Sequence, residues 1–381
     1  MVTREPKRRV PELDGLRGIA ILLVLVFHYI SQGGSYASGS VAGFLQRFVI
    51  MGWTGVDLFF VLSGFLIGGI LIDARDSPTY FKAFYVRRFF RIIPIYYLWI
   101  VLYLGVMGAA GAQVARLSNS GNRPPINFGV FGHFLFLQNV IGSDFAGIAG
   151  AWFGHLWSLA VEEQFYLVAP LLVRFVSSRF LKPILVAVII AVPFFRLSLL
   201  WGLHVPALKV TVLMPCRADA LAVGMLAAAL TRSEDLLRRV REHPVFLHSV
   251  LAFLTLGIAA LWMFAPQSST LGMQSIGYTW LAFFYVTLLL LAVGQPQSWT
   301  GRITRIAWLR ELGTVSYCIY IIHIVVNVVV HALLLRRAPS VSTGKGAIVT
   351  VLAAFVTYGV AKMSWVFFEG PLQRRGHAFK Y

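Results

Sequence analysis

The chain has 381 residues, 58% hydrophobic and only 13% charged, where soluble domains hold roughly 45–50% and about 25%. That surplus excludes a water-soluble globule, because so much apolar surface must be covered by lipid or by other membrane helices. The formal charge of +18 does not mark a nucleic-acid binder, since Lys and Arg fall in short clusters between apolar runs, as in positive-inside loops, and no soluble module remains to present a basic face.

Apolar stretches of about 20 residues predict membrane spans over 14–33, 51–72, 92–111, 154–177, 183–203, 209–230, 245–265, 277–294, 312–335 and 346–368. The first follows Lys7-Arg8-Arg9 and resembles a signal peptide. It contains Arg17 and His28 and lacks a small-residue cleavage site, so it is read as a retained helix. The stretch 128–141 is apolar but too short to cross. Keeping Lys7–Arg9, Arg87–Arg91, Arg238–Arg241, Arg302–Arg310 and Arg374–Arg375 all inside requires 128–141 to dip in and return. Arg336-Arg337 is left outside as a minor exception. The expectation is an all-α polytopic protein with about ten transmembrane helices in one domain over 1–381. It has a re-entrant or interfacial segment near 128–141 and both termini in the cytoplasm. Cys216 and Cys318 lie within apolar runs with no paired ligand nearby and read as small core residues.

Ionisable side chains at membrane depth are costly and point to function unless they are paired. His28 follows Arg17 by 11 positions, about 16 Å along a helix and on nearly the same face. Asp57 enters the second span. Ser158 and Glu162 share one face of the fourth, with Trp157 beside them and Glu163 about 100° round. Arg217 and Asp219 fall in the sixth span and His323 midway along the ninth. A structural buried network, for example Asp57 with Arg217, and a functional site both fit this set. Near the cytoplasmic surface, residues 80–94 alternate aromatic and basic side chains like an interfacial helix. Lys82 and Arg87 suit lipid headgroups, whereas Arg88 and Arg91, on one face and level with Arg17, suit a phosphate-bearing ligand. No metal-ligand spacing appears, and no Gly-x-Ser-x-Gly elbow surrounds Ser63. Spacing alone leaves a transferase fed from inside and an ion-coupled transporter both open.

The run from Glu12 to His28, with Arg17 and His28 separated by ten residues, resembles the opening signature of the acyltransferase type 3 family of bacterial membrane O-acyltransferases. Further stretches resemble that family in order: Gly55-Val-Asp-Leu-Phe-Phe-Val-Leu-Ser-Gly, Arg87-Arg-Phe-Phe-Arg-Ile-Ile-Pro94, His155-Leu-Trp-Ser-Leu-Ala-Val-Glu-Glu and Gly313-Thr-Val-Ser-Tyr-Cys-Ile-Tyr-Ile-Ile-His323. The stretches Cys216–Gly224 and Phe368–Pro371 also match. The resemblance implies a ten-helix fold in the bacterial cytoplasmic (inner) membrane. It implies transfer of an acyl group, commonly acetyl, from cytoplasmic acyl-CoA to a hydroxyl of a cell-surface or lipid-linked carbohydrate or of a small molecule. Acetyl-CoA or another acyl-CoA is then the donor substrate, with no permanently bound cofactor. The stand-alone form without a C-terminal esterase-like domain is expected, so that a separate extracytoplasmic protein would complete transfer to a polymer. His28 is expected to act as general base or as nucleophile. Glu162 is expected to orient it, with Glu163 as second choice, and Arg17, Arg88 and Arg91 to hold the coenzyme A phosphates. Asp57, Ser63, Trp157, Ser158, Arg217, Asp219 and His323 are expected to support the pocket. The alternative is a proton-coupled transporter or exporter using the buried His and carboxylate set as a relay. A sensor without turnover is the blander third reading.

Overall fold

Apolar runs broken by basic turns fold, in the computed structural model, into helices and short connections; the structure describes residues 10–31, 39–117, 128–141, 147–232, 238 and 240–381. The first half holds α1 (Pro11–Val26, continued by a π-helical turn Phe27–Ser31), α2 (Val41–Val49), α3 (Gly55–Ala74), α4 (Tyr80–Leu117), α5 (Phe128–Phe134), α6 (Gln138–Ile141), α7 (Gly147–Phe153) and α8 (Trp157–Phe175). The second half holds α9 (Ser178–Leu197), α10 (Ala207–Val212), α11 (Ala218–Leu230), α12 (Pro244–Phe264), α13 (Tyr278–Gly294), α14 (Trp299–Thr304), α15 (Ala307–Leu335), α16 (Gly344–Ser364) and α17 (Gly370–His377). No strand occurs among the described residues. Nine helical runs there are long and apolar enough to cross a bilayer. Leu102, Phe194, Leu256 and Phe355 stand exposed on their outer faces, as lipid-facing side chains do. The chain is a multi-pass, all-α membrane protein.

One of the ten expected passages is not a continuous helix. The segment 209–230 is not one helix: α10 ends at Val212, Leu213 turns extended (ψ 133°), and a 3₁₀ turn over Met214–Arg217 leads into α11. Pro215 lacks the N–H that a continuous helix would need there. With 13 residues, α11 rises about 20 Å, short of a hydrocarbon core of about 30 Å. The broken segment nevertheless carries the chain from Arg217, beside Asp57, to Arg232, beside Asp73 at the basic end. The segment 128–141, by contrast, does not cross. Its two short helices double back at Phe136, held in the left-handed region (φ 54°) and stacked on Tyr96 at 4.5 Å.

Two glycine seams set the helix packing. A Cβ on Gly18 would strike the backbone carbonyl of Leu309, and one on Gly313 would strike that of Asp14. Backbone therefore lies against backbone where α1 meets α15. Likewise Gly64 abuts the carbonyl of Leu221, and Gly224 abuts that of Val61, where α3 crosses α11. Small residues permit such close approach, and the contact then rests on van der Waals packing.

The basic clusters gather at one end. Arg305 pairs with Glu12 at the start of α1 (2.5 Å), Arg232 with Asp73 at the end of α3 (2.7 Å), and Arg87 donates to the carbonyl of Phe379 beside α17. Arg336-Arg337 lies past the far end of α15. Lys7–Arg9 and Arg239 fall outside the described residues.

Gly313→Val should lower the thermal midpoint of the purified protein sharply. Overpacking typically costs about 1–3 kcal/mol, and here backbone, which cannot rotate away, receives the collision. Gly359→Ala, with nothing within 4 Å of its added carbon, should hold or slightly raise the midpoint. Fluorescence-monitored melting in detergent compares the two.

Candidate active site

The seam between α1 and α15 brings two histidines together. Both helices run in the same direction, and His28 and His323 each lie ten residues beyond the touching glycines Gly18 and Gly313. His28 falls in the π-helical turn after α1, where the ladder is irregular in a way often found at functional sites. His323 Nε2 lies 3.2 Å from His28 Nδ1, and the rings stand edge to face with centroids 4.8 Å apart. A third ring, His155 at the approach to α8, lies 5.0 Å from His323 and 6.3 Å from His28.

Backbone carbonyls assign the tautomers. His323 Nδ1 faces the carbonyls of Ile319 (3.1 Å) and Tyr320 (2.8 Å), so it carries the proton and leaves Nε2 as an acceptor. That lone pair meets His28 Nδ1, which also faces the carbonyl of Val24 at 3.0 Å and therefore carries a proton. His28 Nε2 is left bare, the state that accepts a proton or attacks a carbonyl. His155 Nε2 donates to the carbonyl of Ile321 (3.2 Å), and its buried Nδ1 has no partner.

His28, half-buried, lines a cavity of about 730 Å³ together with Trp53, His155, Trp157, Arg217 and Tyr320. A second cavity, of about 510 Å³, lies toward the opposite end of α1 and α3. Arg17, Ser63, Arg88, Arg91, Glu162 and Tyr166 line it, with Arg232 and Asp73 at the basic end. Arg88 sits over the ring of Tyr166 at 5.7 Å, and its buried Nε has no partner. Val56 and Tyr320 line both cavities and so form the wall between them. The Tyr320 hydroxyl is fixed by Ser158 Oγ (2.5 Å) and donates to the carbonyl of His155 (2.8 Å).

Two buried arginines are paired with aspartates. Arg217 pairs with Asp57 and lays its guanidinium on the ring of Tyr278, 3.7 Å from the centroid. Arg196 binds Asp219 (2.9 Å), the carbonyls of Cys216 (2.8 Å) and Gln274 (2.6 Å), and Thr279 (3.2 Å). These pairs tie α3 and α9 to the broken segment ahead of α11.

The structure divides the expected residues between two places. Arg17, Arg88 and Arg91 do converge, and Ser63 is with them, bonded to the Tyr166 hydroxyl at 3.0 Å. Glu162 joins this group, lining the same cavity as Ser63 and the three arginines. The expectation that Glu162 orients His28 is therefore corrected: the side chain on His28 Nδ1 is His323. One helical face carried Ser158 and Glu162 into the arginine cavity, while Trp157, about 100° round, faces the histidines. Glu163 lines neither cavity. Sequence reasoning gave His155 no role and passed over Arg196, although an arginine within the apolar run 183–203 was itself a signal. Among the described residues no group of three or more His, Cys, Asp or Glu is placed to hold a metal ion.

Comparison with known proteins is consistent across the chain. A family model described as an acyltransferase domain matches residues 10–360. The chain is 29% identical to the peptidoglycan O-acetyltransferase OatA of Listeria monocytogenes, over 98% of this chain and 57% of that protein. It is 25% identical to the O-acetyltransferase OatA of Staphylococcus aureus, over 97% of this chain and 58% of that protein. The chain thus spans a little over half the length of the curated relatives it matches. No solved structure matches it.

Asp57→Ala would strand Arg217, only 1% exposed, without its counter-charge. Breaking a buried pair from one side costs about 3–5 kcal/mol, so the variant should melt well below the parent. The double variant Asp57→Asn with Arg217→Gln should recover most of that loss, which a melting series on the three proteins checks.

Proposed function

The chain belongs to the acyltransferase type 3 family, and from that premise we propose that it is a membrane O-acyltransferase that moves an acyl group, acetyl foremost, from acyl-CoA to a hydroxyl. The hydroxyl belongs to a cell-surface or lipid-linked carbohydrate or to a small molecule. The observation that carries this reading is the stacking of an arginine-rich cavity on a histidine cavity across one shared wall. Coenzyme A is a polyphosphate joined by a slender arm to a thioester, so its two ends need these two environments. Guanidinium groups bind phosphate oxygens in pairs and keep their charge when buried. Arg17, Arg88 and Arg91 therefore hold the phosphates, with Glu162 fixing their positions.

The thioester end reaches His28 when Tyr320 turns aside, giving up its bonds to Ser158 and His155. His28 Nε2 then takes the acceptor's hydroxyl proton as that oxygen bonds to the thioester carbon. The carbon–sulfur bond breaks, and the proton passes to the departing thiolate, releasing coenzyme A and the acyl ester. His323, by accepting from Nδ1–H, holds His28 in the tautomer that step requires.

The common end of the basic clusters supports placing the arginine cavity and both termini at the cytoplasmic face of a bacterial inner membrane, where acyl-CoA is made. A separate extracytoplasmic transfer protein serves as the onward carrier where the final acceptor is a polymer. A transporter using the histidines as a proton relay gains no support from the family or from the named relatives.

With purified protein in nanodiscs and acetyl-CoA, slow release of coenzyme A to water should be measurable. His28→Ala should lower it by about 10²- to 10⁴-fold, the usual contribution of a general base, while acetyl-CoA still binds. Arg88→Gln should instead raise the dissociation constant for acetyl-CoA about tenfold, as loss of a charge-assisted phosphate contact does. If acetyl-CoA does not bind, or if release persists in His28→Ala, this assignment falls.

A further inference from the structure

Among the described residues, the lining of the histidine cavity carries one cation without a counter-charge, Lys209. Lys209 and Arg217 line it, and no Asp or Glu is among its described lining residues. Among the described residues, the Lys209 ammonium is held by the carbonyl oxygens of Asn139 (3.0 Å) and Val140 (2.6 Å), which orient it without neutralising it. Arg217 spends one nitrogen on Asp57, which lies behind it and outside the cavity lining. Its Nε and Nη1 are buried and have no partner. Gln138 adds an unpartnered Oε1, its amide nitrogen being bound to Tyr96 and to the carbonyl of Leu156. Buried donors left open in this way normally find a partner, and an ammonium without a carboxylate beside two open guanidinium donors selects an anion. Trp53 and Trp157 supply flat apolar walls, and the volume of about 730 Å³ is that of a small-molecule site.

We propose that this cavity is the acceptor site and that the acceptor is an anionic, hydroxyl-bearing ring. Its carboxylate or phosphate rests on Arg217 and Lys209, and one hydroxyl meets His28. The proposal rests on the transferase reading above and deepens it by naming the class of acceptor. Gln138 Oε1 accepts from a second hydroxyl, so that a vicinal polyol is held at two points.

The test is coenzyme A release from acetyl-CoA in nanodiscs of zwitterionic lipid, with three probes at equal concentration. These are methyl glucoside (neutral), methyl glucuronide (carboxylate) and glucose 1-phosphate (phosphate). An anionic probe should raise release over the water rate at least fivefold more than the neutral one. A response to the glucuronide alone points to a carboxylate, and one to the phosphate alone points to a phosphorylated sugar; either supports the proposal. Lys209→Gln should cut the preference for the anionic probe about tenfold, with acetyl-CoA binding as the check on folding. The pair-neutral double variant Asp57→Asn with Arg217→Gln should do the same. His28-dependent release that responds equally to all three probes, or to none, overturns the acceptor assignment and leaves the transferase reading standing. Absence of His28-dependent release even to water would instead remove the transferase reading itself.

Discussion

Everything in the site depends on how closely α1 can lie against α15. Gly18 and Gly313 remove the side chains that would hold the two backbones apart, and the parallel course of the helices carries that register ten residues on, to His28 and His323. A shift of one residue in either helix would turn a ring by about 100° and break the Nδ1 contact. The π-helical turn over Phe27–Ser31 places the His28 ring beside its partner rather than stacked in line with Arg17. Imidazole geometry is thus specified by backbone contact some 15 Å away.

The same economy of polar groups governs the rest of the interior. Low-dielectric surroundings make every unpaired charge expensive, and the fold responds by sorting its ionisable residues. Asp57 and Arg217, and Asp219 and Arg196, neutralise each other and brace the broken segment ahead of α11. Other ionisable side chains are left to face cavities. Arg17, Arg88 and Arg91 with Glu162 occupy one, and the histidines, uncharged in the tautomers their carbonyls impose, occupy the other. The break at Pro215 contributes to this sorting, because it lets Arg217 enter from a turn rather than from the side of a continuous helix.

Much of this was legible beforehand, and the omissions have physical causes. Apolar runs reveal spans because lipid demands them, so nine passages and the doubled-back segment near 128–141 followed from hydropathy. The tenth passage is there but broken at Pro215, where an apolar run lacks the hydrogen bond that would keep it one continuous helix. Helical periodicity placed Ser158 and Glu162 on one face correctly. It had no means of saying which neighbour that face meets, and so it gave Glu162 to His28 in place of the arginines. Tertiary register, which made His323 the partner, is written in glycines whose meaning appears only once a second helix lies against them.

The wall of Val56 and Tyr320 has an electrical consequence. Two hollows reached from opposite ends of the same helices concentrate whatever potential the membrane carries onto the thin layer between them. An elementary charge crossing that layer would exchange about 2.3 kcal/mol per 100 mV. Under the proposed transfer, a polyanion retained on the arginines would not cross, and an acetyl group is neutral. Moving the cargo while its carrier stays behind would therefore be an electrically silent step, neither driven nor opposed by the voltage, alike in an energised and a de-energised membrane.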